Sequence, residues 1–198
     1  DKEKKTIVSN ESSEIIRMLN SEFNAFAKFK DLDLYPEQLR TAIDDVNSWV
    51  YPSINNGVYR CGFAKTQAAY DEAITELTDA FDRIEGILKE SRYIAGDRFT
   101  EADVRLFVTL VRFDEVYTVY FKTNTRYVAR SPAILNYCRE IYQMPGVKET
   151  VNMEQIKAHY YTSHPTLNYY SIIPRGPDFI KLLDEPHDRD ALFKKQKV

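Results

Sequence analysis

The clearest run of apolar positions begins after Thr66, where Tyr70, Ile74, Leu77, Phe81, Ile84 and Leu88 recur at spacings of four and three. That period predicts a helix of about six turns with one buried stripe, its opposite face acidic and solvated. Further on, Gly96-Asp97-Arg98-Phe99-Thr100-Glu101-Ala102-Asp103 spells a helix start. Thr100 can cap the N–H of Asp103, the Asp103 carboxylate can reach back to Thr100, and Phe99 and Val104 sit as a hydrophobic staple. The helix it opens, Val104 to about Tyr120, is apolar on most faces and predicts the central buried element. Arg105, Arg112 and Asp114 within it then need partners or a route to solvent.

Proline and glycine punctuate the rest. Pro36 suits the first turn of a helix running through Trp49, with Pro52 kinking or restarting it before Asn55-Asn56-Gly57. Ser131-Pro132 starts a helix ending near Gln143, and Pro145-Gly146 stops it. A last short helix is expected before His159-Tyr160-Tyr161, followed by an extended loop set by Pro165, Pro174, Gly176 and Pro177. At the N-terminus, Lys5–Val8 suits a short strand and Ser9–Leu19 a helix with Ile15, Ile16 and Leu19 on one side. A lone strand is unstable, so strand neighbours are expected upstream. Residues 21–35 read as a linker anchored by Phe23, Phe26 and Phe29, residues 36–177 as an all-helical domain, and 178–198 as a charged, marginally ordered tail.

Composition narrows the class. With 43% hydrophobic and 29% charged residues, the 198-residue chain reads as globular. A net charge of −3 gives no basic excess for nucleic acid. No apolar run reaches the roughly 18–20 residues of a membrane span, and Asp1-Lys2-Glu3-Lys4-Lys5 does not read as a signal peptide. Two cysteines are too few for a disulfide framework and fit a reducing compartment. Asn10-Glu11-Ser12 matches a glycosylation sequon and is read as a chance match. Fourteen tyrosines and eleven phenylalanines suit core packing or a pocket for a planar aromatic ligand; composition alone favours packing.

Of the chemistry-bearing residues, the histidines His159, His164 and His187 have no metal-ligand spacing, and Cys138 reads as core. Cys61, near Arg60, is a weak candidate nucleophile without a visible base. Two features stand out. Glu11-Ser12 lies at a strand-to-helix junction, where N–H groups, a hydroxyl and a carboxylate can hold a zwitterionic amino-acid head group. Tyr59 and Tyr160 lie near helix ends beside other polar aromatics, and phenols with pKa near 10 can donate to an oxyanion without ionising.

The helix start at Gly96–Asp103 resembles the folding box of glutathione-transferase helical domains, and Val8-Ser9-Asn10-Glu11-Ser12-Ser13 resembles their strand-helix corner. More narrowly, Asn56-Gly57-Val58-Tyr59-Arg60-Cys61-Gly62-Phe63-Ala64 with Gln67-Ala68-Ala69-Tyr70 is similar to the glutathionyl-hydroquinone reductases (xi class, omega-like). So are Asp103–Phe107, Arg112–Asp114, Phe121–Asn124, Tyr142–Gly146 and His159–His164. These blocks span the chain to about Pro177. The resemblance implies a mainly α fold: a glutathione-transferase C-terminal helical bundle behind a strand-helix remnant (residues 1–20) of a thioredoxin-like domain. It implies glutathione-dependent reduction of glutathionyl-hydroquinones through a cysteine mixed disulfide, with glutathione as co-substrate and no metal. Tyr59 and Tyr160 would line the hydroquinone pocket, and Val8, Glu11 and Ser12 would bind glutathione. A homodimer through the helical domain and a cytoplasmic setting follow, a mitochondrial one staying open. Neither Cys61 nor Cys138 matches the family nucleophile, which lies upstream in the family, so this chain is expected to be a fragment and inactive alone. The alternatives are a non-catalytic helical binding module and an omega-type thioltransferase or dehydroascorbate reductase. The Tyr59 and Tyr160 blocks favour the reductase.

Overall fold

The expected strand at Lys5–Val8 does not form. In the computed structural model, which describes residues 1–194, residues 2–5 make turns and residues 7–10 run without regular structure. A strand needs a neighbour's N–H and C=O groups, and among the described residues the one bridge of that kind is the isolated Tyr93–Gly96 pair. Helix α1 (Ser12–Ser21) follows, one residue after the extended Glu11. Arg17 ties it to the rest, bridging Glu101 at 2.7 Å and Asp44 at 2.6 Å while lying over the Tyr35 ring. The connecting segment is pinned by polar contacts rather than by its phenylalanines. Asn20 donates to Asp33 and accepts the Leu34 N–H, both at 2.8 Å, whereas Phe23, Phe26 and Phe29 are exposed.

Pro36 leads into a 3-10 turn (Glu37–Leu39) and then α2 (Arg40–Val50). Pro52 does not break the chain's helical path: the backbone widens into a π turn, Tyr51–Asn55, and re-forms as α3 (Gly57–Gly62). Helix α4 (Gln67–Glu90) starts where the Thr66 hydroxyl accepts the Ala69 N–H at 3.2 Å. Its stripe from Ile74 to Leu88 is buried against α3 and against the helix that starts at Pro132.

At the centre lies α5 (Glu101–Arg112), opened by the Thr100–Asp103 capping box. The buried Asp103 carboxylate accepts the N–H groups of Thr100 (2.8 Å) and Ile94 (2.9 Å) and the Tyr137 hydroxyl (2.9 Å), so its lone pairs are occupied. A second π turn, Phe113–Tyr117, continues the helix into α6 (Thr118–Tyr120), and all five of its residues are buried. Within it Asp114 accepts the N–H groups of Val128 (2.8 Å) and Ala129 (2.9 Å), the partners that its burial demanded.

Helix α7 (Pro132–Tyr142) ends before the turn at Pro145-Gly146, where Gly146 takes a φ of +86°. The next helix, α8 (Met153–Ser163), is capped by Asn152, and it contains His159-Tyr160-Tyr161 instead of stopping short of them. The final segment also departs from the sequence expectation. Helices α9 (Phe179–Leu183) and α10 (Arg189–Leu192) pack onto the bundle, with Phe179 and Leu183 fully buried. Each such side chain contributes roughly 1.5–3 kcal/mol of burial. Arg189 is 1% exposed and meets Glu140 at 2.8 Å. Charge density along this stretch hid the few residues that anchor it. Among the described residues no helix is long and apolar enough to cross a membrane.

Candidate functional site

Both π turns border the same cleft. A π turn holds an extra residue per turn and so re-aims the side chains that follow, which is why such turns recur at functional sites. The first brings Tyr51 and Asn55 to the cleft, and the second brings Tyr117. Asn55 is fixed there by donating to the Arg105 carbonyl (2.8 Å) and to the Thr109 hydroxyl (2.7 Å). The cleft holds about 540 Å³, within the usual size of a small-molecule site.

Tyr59 and Tyr160 meet in it. Their hydroxyl oxygens are 2.7 Å apart, although one stands on α3 and the other on α8. The Tyr160 hydroxyl also lies 2.8 Å from that of Tyr117, so three phenols form a chain with Tyr160 in the middle. Two mutual bonds engage two of the three hydroxyl protons and leave one for a ligand. Phe121 stacks on Tyr117 and packs against Tyr59 and Tyr160, giving the relay an aromatic backing. Burial, then the hydrogen bond with Tyr160, pushes the Tyr59 phenol up to about 12, against the pull of the Arg112 charge. Burial raises Tyr117 further still. Both therefore stay protonated at neutral pH and can act as donors.

Tyr117 is the residue that sequence reading missed. It looks like core in an apolar helix, and it is 2% exposed. The signal was its hydroxyl, since a buried tyrosine needs a partner for that group.

Glu11 and Ser12 stand at the start of α1, bordering a smaller depression that shares Ser12, Tyr51 and Arg105 with the cleft. The Glu11 side chain makes no capping bond to its own helix. Val8 is exposed on the approaching segment and borders neither depression. His159 lines the cleft, while His164 lies beside Tyr120, with its Nδ1 3.2 Å from that hydroxyl. Among the described residues no three His, Cys, Asp or Glu side chains gather as metal ligands. Neither cysteine is an activated thiol. Cys61 is buried and pushed up to about 11 by burial, which outweighs the nearby Arg60 charge. Cys138, fully buried, is raised more.

The chain is similar to proteins of known identity. The family model for the glutathione S-transferase C-terminal domain matches residues 67–140. Over 193 residues the chain is 49% identical to the glutathionyl-hydroquinone reductase YqjG of Escherichia coli strain K12, an alignment covering 98% of this chain and 58% of that protein. The glutathione-bound structure of YqjG superposes with a TM-score of 0.90 over 98% of this chain and 62% of that one. The xi-class glutathione transferase of Natrialba magadii gives a TM-score of 0.90 at 47% identity, over 96% and 57% of the two chains. The fold is thus that of the helical C-terminal domain of glutathione S-transferases. Within that class, the chain is similar to xi-class enzymes, a glutathionyl-hydroquinone reductase among them. It spans little more than half the length of these relatives.

Proposed function

We propose that the complete protein carrying this chain reduces glutathionyl-hydroquinones to free hydroquinones, using glutathione as co-substrate. The observation that carries this reading is the Tyr59–Tyr160–Tyr117 relay, in a cleft that adjoins the Glu11–Ser12 corner through Ser12, Tyr51 and Arg105. The γ-glutamyl head of the conjugate rests at that corner, where Glu11 and Ser12 receive its ammonium and carboxylate, with Val8 on the segment leading in. The hydroquinone ring then occupies the cleft against Tyr59 and Tyr160, and the one free hydroxyl proton of the relay is donated to a ring oxygen. Kinship with YqjG supports the assignment.

A thiolate attacks the glutathionyl sulfur, forming an S–S bond and breaking the bond from sulfur to the ring. The electron pair returns to the ring carbon, which takes a proton, and free hydroquinone leaves. A glutathione thiolate then attacks the mixed disulfide, releasing oxidised glutathione and restoring the first thiolate. Cys61 and Cys138 are buried and raised in pKa, the opposite of what an attacking thiol requires, so that thiolate comes from outside this chain. The protein works as a homodimer through the helical domain in the cytoplasm.

The test is to incubate the complete protein with glutathione and a glutathionyl-naphthohydroquinone, following both products by chromatography. Free naphthohydroquinone and oxidised glutathione should appear in equal amounts. The Tyr59→Phe/Tyr160→Phe double variant should be slower by at least about a hundredfold, the scale of a lost acid–base contribution. Absence of release by the unmodified protein overturns the proposal.

A further inference from the structure

Helix α5 presents one face to the cleft: Arg105, Val108, Thr109 and Arg112, at spacings of three, four and seven. Two of these four are cations, and they are not equivalent. Arg105 has a carboxylate within range, Glu101 at 3.9 Å, which also holds Arg17. Arg112, in the last turn of α5, donates to the Val108 carbonyl of its own helix, and among the described residues no carboxylate pairs with it. The residues lining the cleft include no aspartate or glutamate. Its polar lining thus combines the phenols and neutral groups such as Asn55, Thr109 and Gln155 with a guanidinium, Arg112, that no carboxylate compensates among the described residues. The Arg112 charge reaches the phenols, since it pulls on both Tyr59 and Tyr117.

A neutral hydroquinone needs only the phenols. A guanidinium in a partly enclosed, acid-free cleft is matched by a planar anion, to which it can donate two parallel hydrogen bonds. The geometry points to Arg112 as a specificity-determining residue that selects hydroquinones carrying an anionic ring substituent, a carboxylate or sulfonate. This rests on the hydroquinone reading of the cleft. The phenols hold the ring oxygens, and Arg112, on the adjoining wall, holds the substituent.

The probes are 1,4-dihydroxy-2-naphthoate and the neutral 1,4-dihydroxynaphthalene, titrated anaerobically into the complete protein by quenching of intrinsic fluorescence. The acid should bind about tenfold or more tightly than the neutral ring, as one charge-assisted contact gives. That preference should shrink as salt rises. Arg112→Gln should bring the two affinities together, while Arg112→Lys, keeping the charge without the fork, should restore part of the gap. Equal binding of the two probes by the unmodified protein overturns the role of Arg112 and leaves the hydroquinone cleft standing. A preference that survives Arg112→Gln does the same. If Arg112→Gln fails to fold, an unmodified protein whose preference is independent of salt overturns the proposal. Binding of neither probe overturns the cleft reading and this inference together.

Discussion

The hydroxyl of Tyr117 lies 2.8 Å from that of Tyr160, joining the second π turn to α8 inside the bundle. Tyr117 is nearly enclosed, so its hydroxyl serves Tyr160 more than any ligand. Tyr117→Phe leaves the Tyr160 hydroxyl with one partner fewer and costs about 1 kcal/mol of unfolding free energy, the usual net worth of such a bond. If the phenols bind the hydroquinone as proposed, the same change lowers kcat of the complete protein with little effect on KM, because it loosens the orientation of Tyr160 without removing a ligand contact. Denaturant unfolding and steady-state kinetics check the two halves separately. An unchanged unfolding midpoint together with unchanged kcat would show that the relay ends at Tyr160.

Arg189 and Glu140 carry a second prediction, on the attachment of the C-terminal segment. Their ion pair is buried on both sides, and Glu140 also receives Arg92 and the Tyr93 hydroxyl. Removing one member of a buried pair strands the other, which costs about 3–5 kcal/mol. Arg189→Ala should lower stability by roughly that amount, softened by the Arg92 that remains. It should also expose the segment around α9 and α10 to proteolysis. A loss below about 1 kcal/mol, the worth of a surface pair, would mean that this segment is held by Phe179 and Leu183 alone.

The third concerns alkaline pH. Burial lifts the Cys61 thiol from its ordinary 9.0 to about 11 and the Tyr59 phenol from 10.0 to about 12. Raised values mean that the folded chain holds these protons more tightly than the unfolded chain. Their stabilising effect is complete below about pH 9 and is lost as pH climbs through the folded-state values. Stability should therefore fall between about pH 9 and 12, and the fall should become shallower between 9 and 11 in Cys61→Ala. Thermal melts at a series of pH values measure both slopes. A Cys61→Ala slope identical to the unmodified one would remove the thiol from the account.

These residues also mark what was legible in the sequence. The capping box at Thr100–Asp103, the α4 stripe and the Pro132 start all depend on neighbours within a few positions, and local pattern carries that information. The Glu11–Ser12 corner and the pair Tyr59 and Tyr160 stood out by residue type and position, family likeness suggested their roles, and the structure adds their geometry. What escaped was non-local. The π turns shift the helical period by a residue, so no 3.6-residue template points Tyr117 at the cleft. The strand at Lys5–Val8 fitted its composition, but strand pairing needs a second segment. The C-terminal segment looked solvated because most of it is charged, while Phe179, Leu183 and Arg189, its anchors, are few and scattered.

Gly62 offers the sharpest test of the packing behind the relay. A Cβ built there would overlap Cδ1 and Cγ of Phe121 and come within 2.8 Å of its Cε1. Phe121 is fully buried, and its ring stacks on Tyr117, with centroids 5.5 Å apart, and lies 5.1 Å from that of Tyr59. The ring has no free direction to yield, so Gly62→Ala must push it into the phenols or bend α3 away. Overpacking of this kind costs about 1–3 kcal/mol. Either movement also separates Tyr59 from Tyr160, whose 2.7 Å contact tolerates little displacement. Gly62→Ala should thus lower stability and, if the phenols bind the hydroquinone as proposed, hydroquinone affinity with it. The double variant Gly62→Ala/Phe121→Leu, which makes room for the methyl group, should recover more stability than Phe121→Leu alone would predict. Additive losses in that cycle would show that the two residues do not act on each other, and the close approach of backbone and ring would then have no energetic meaning.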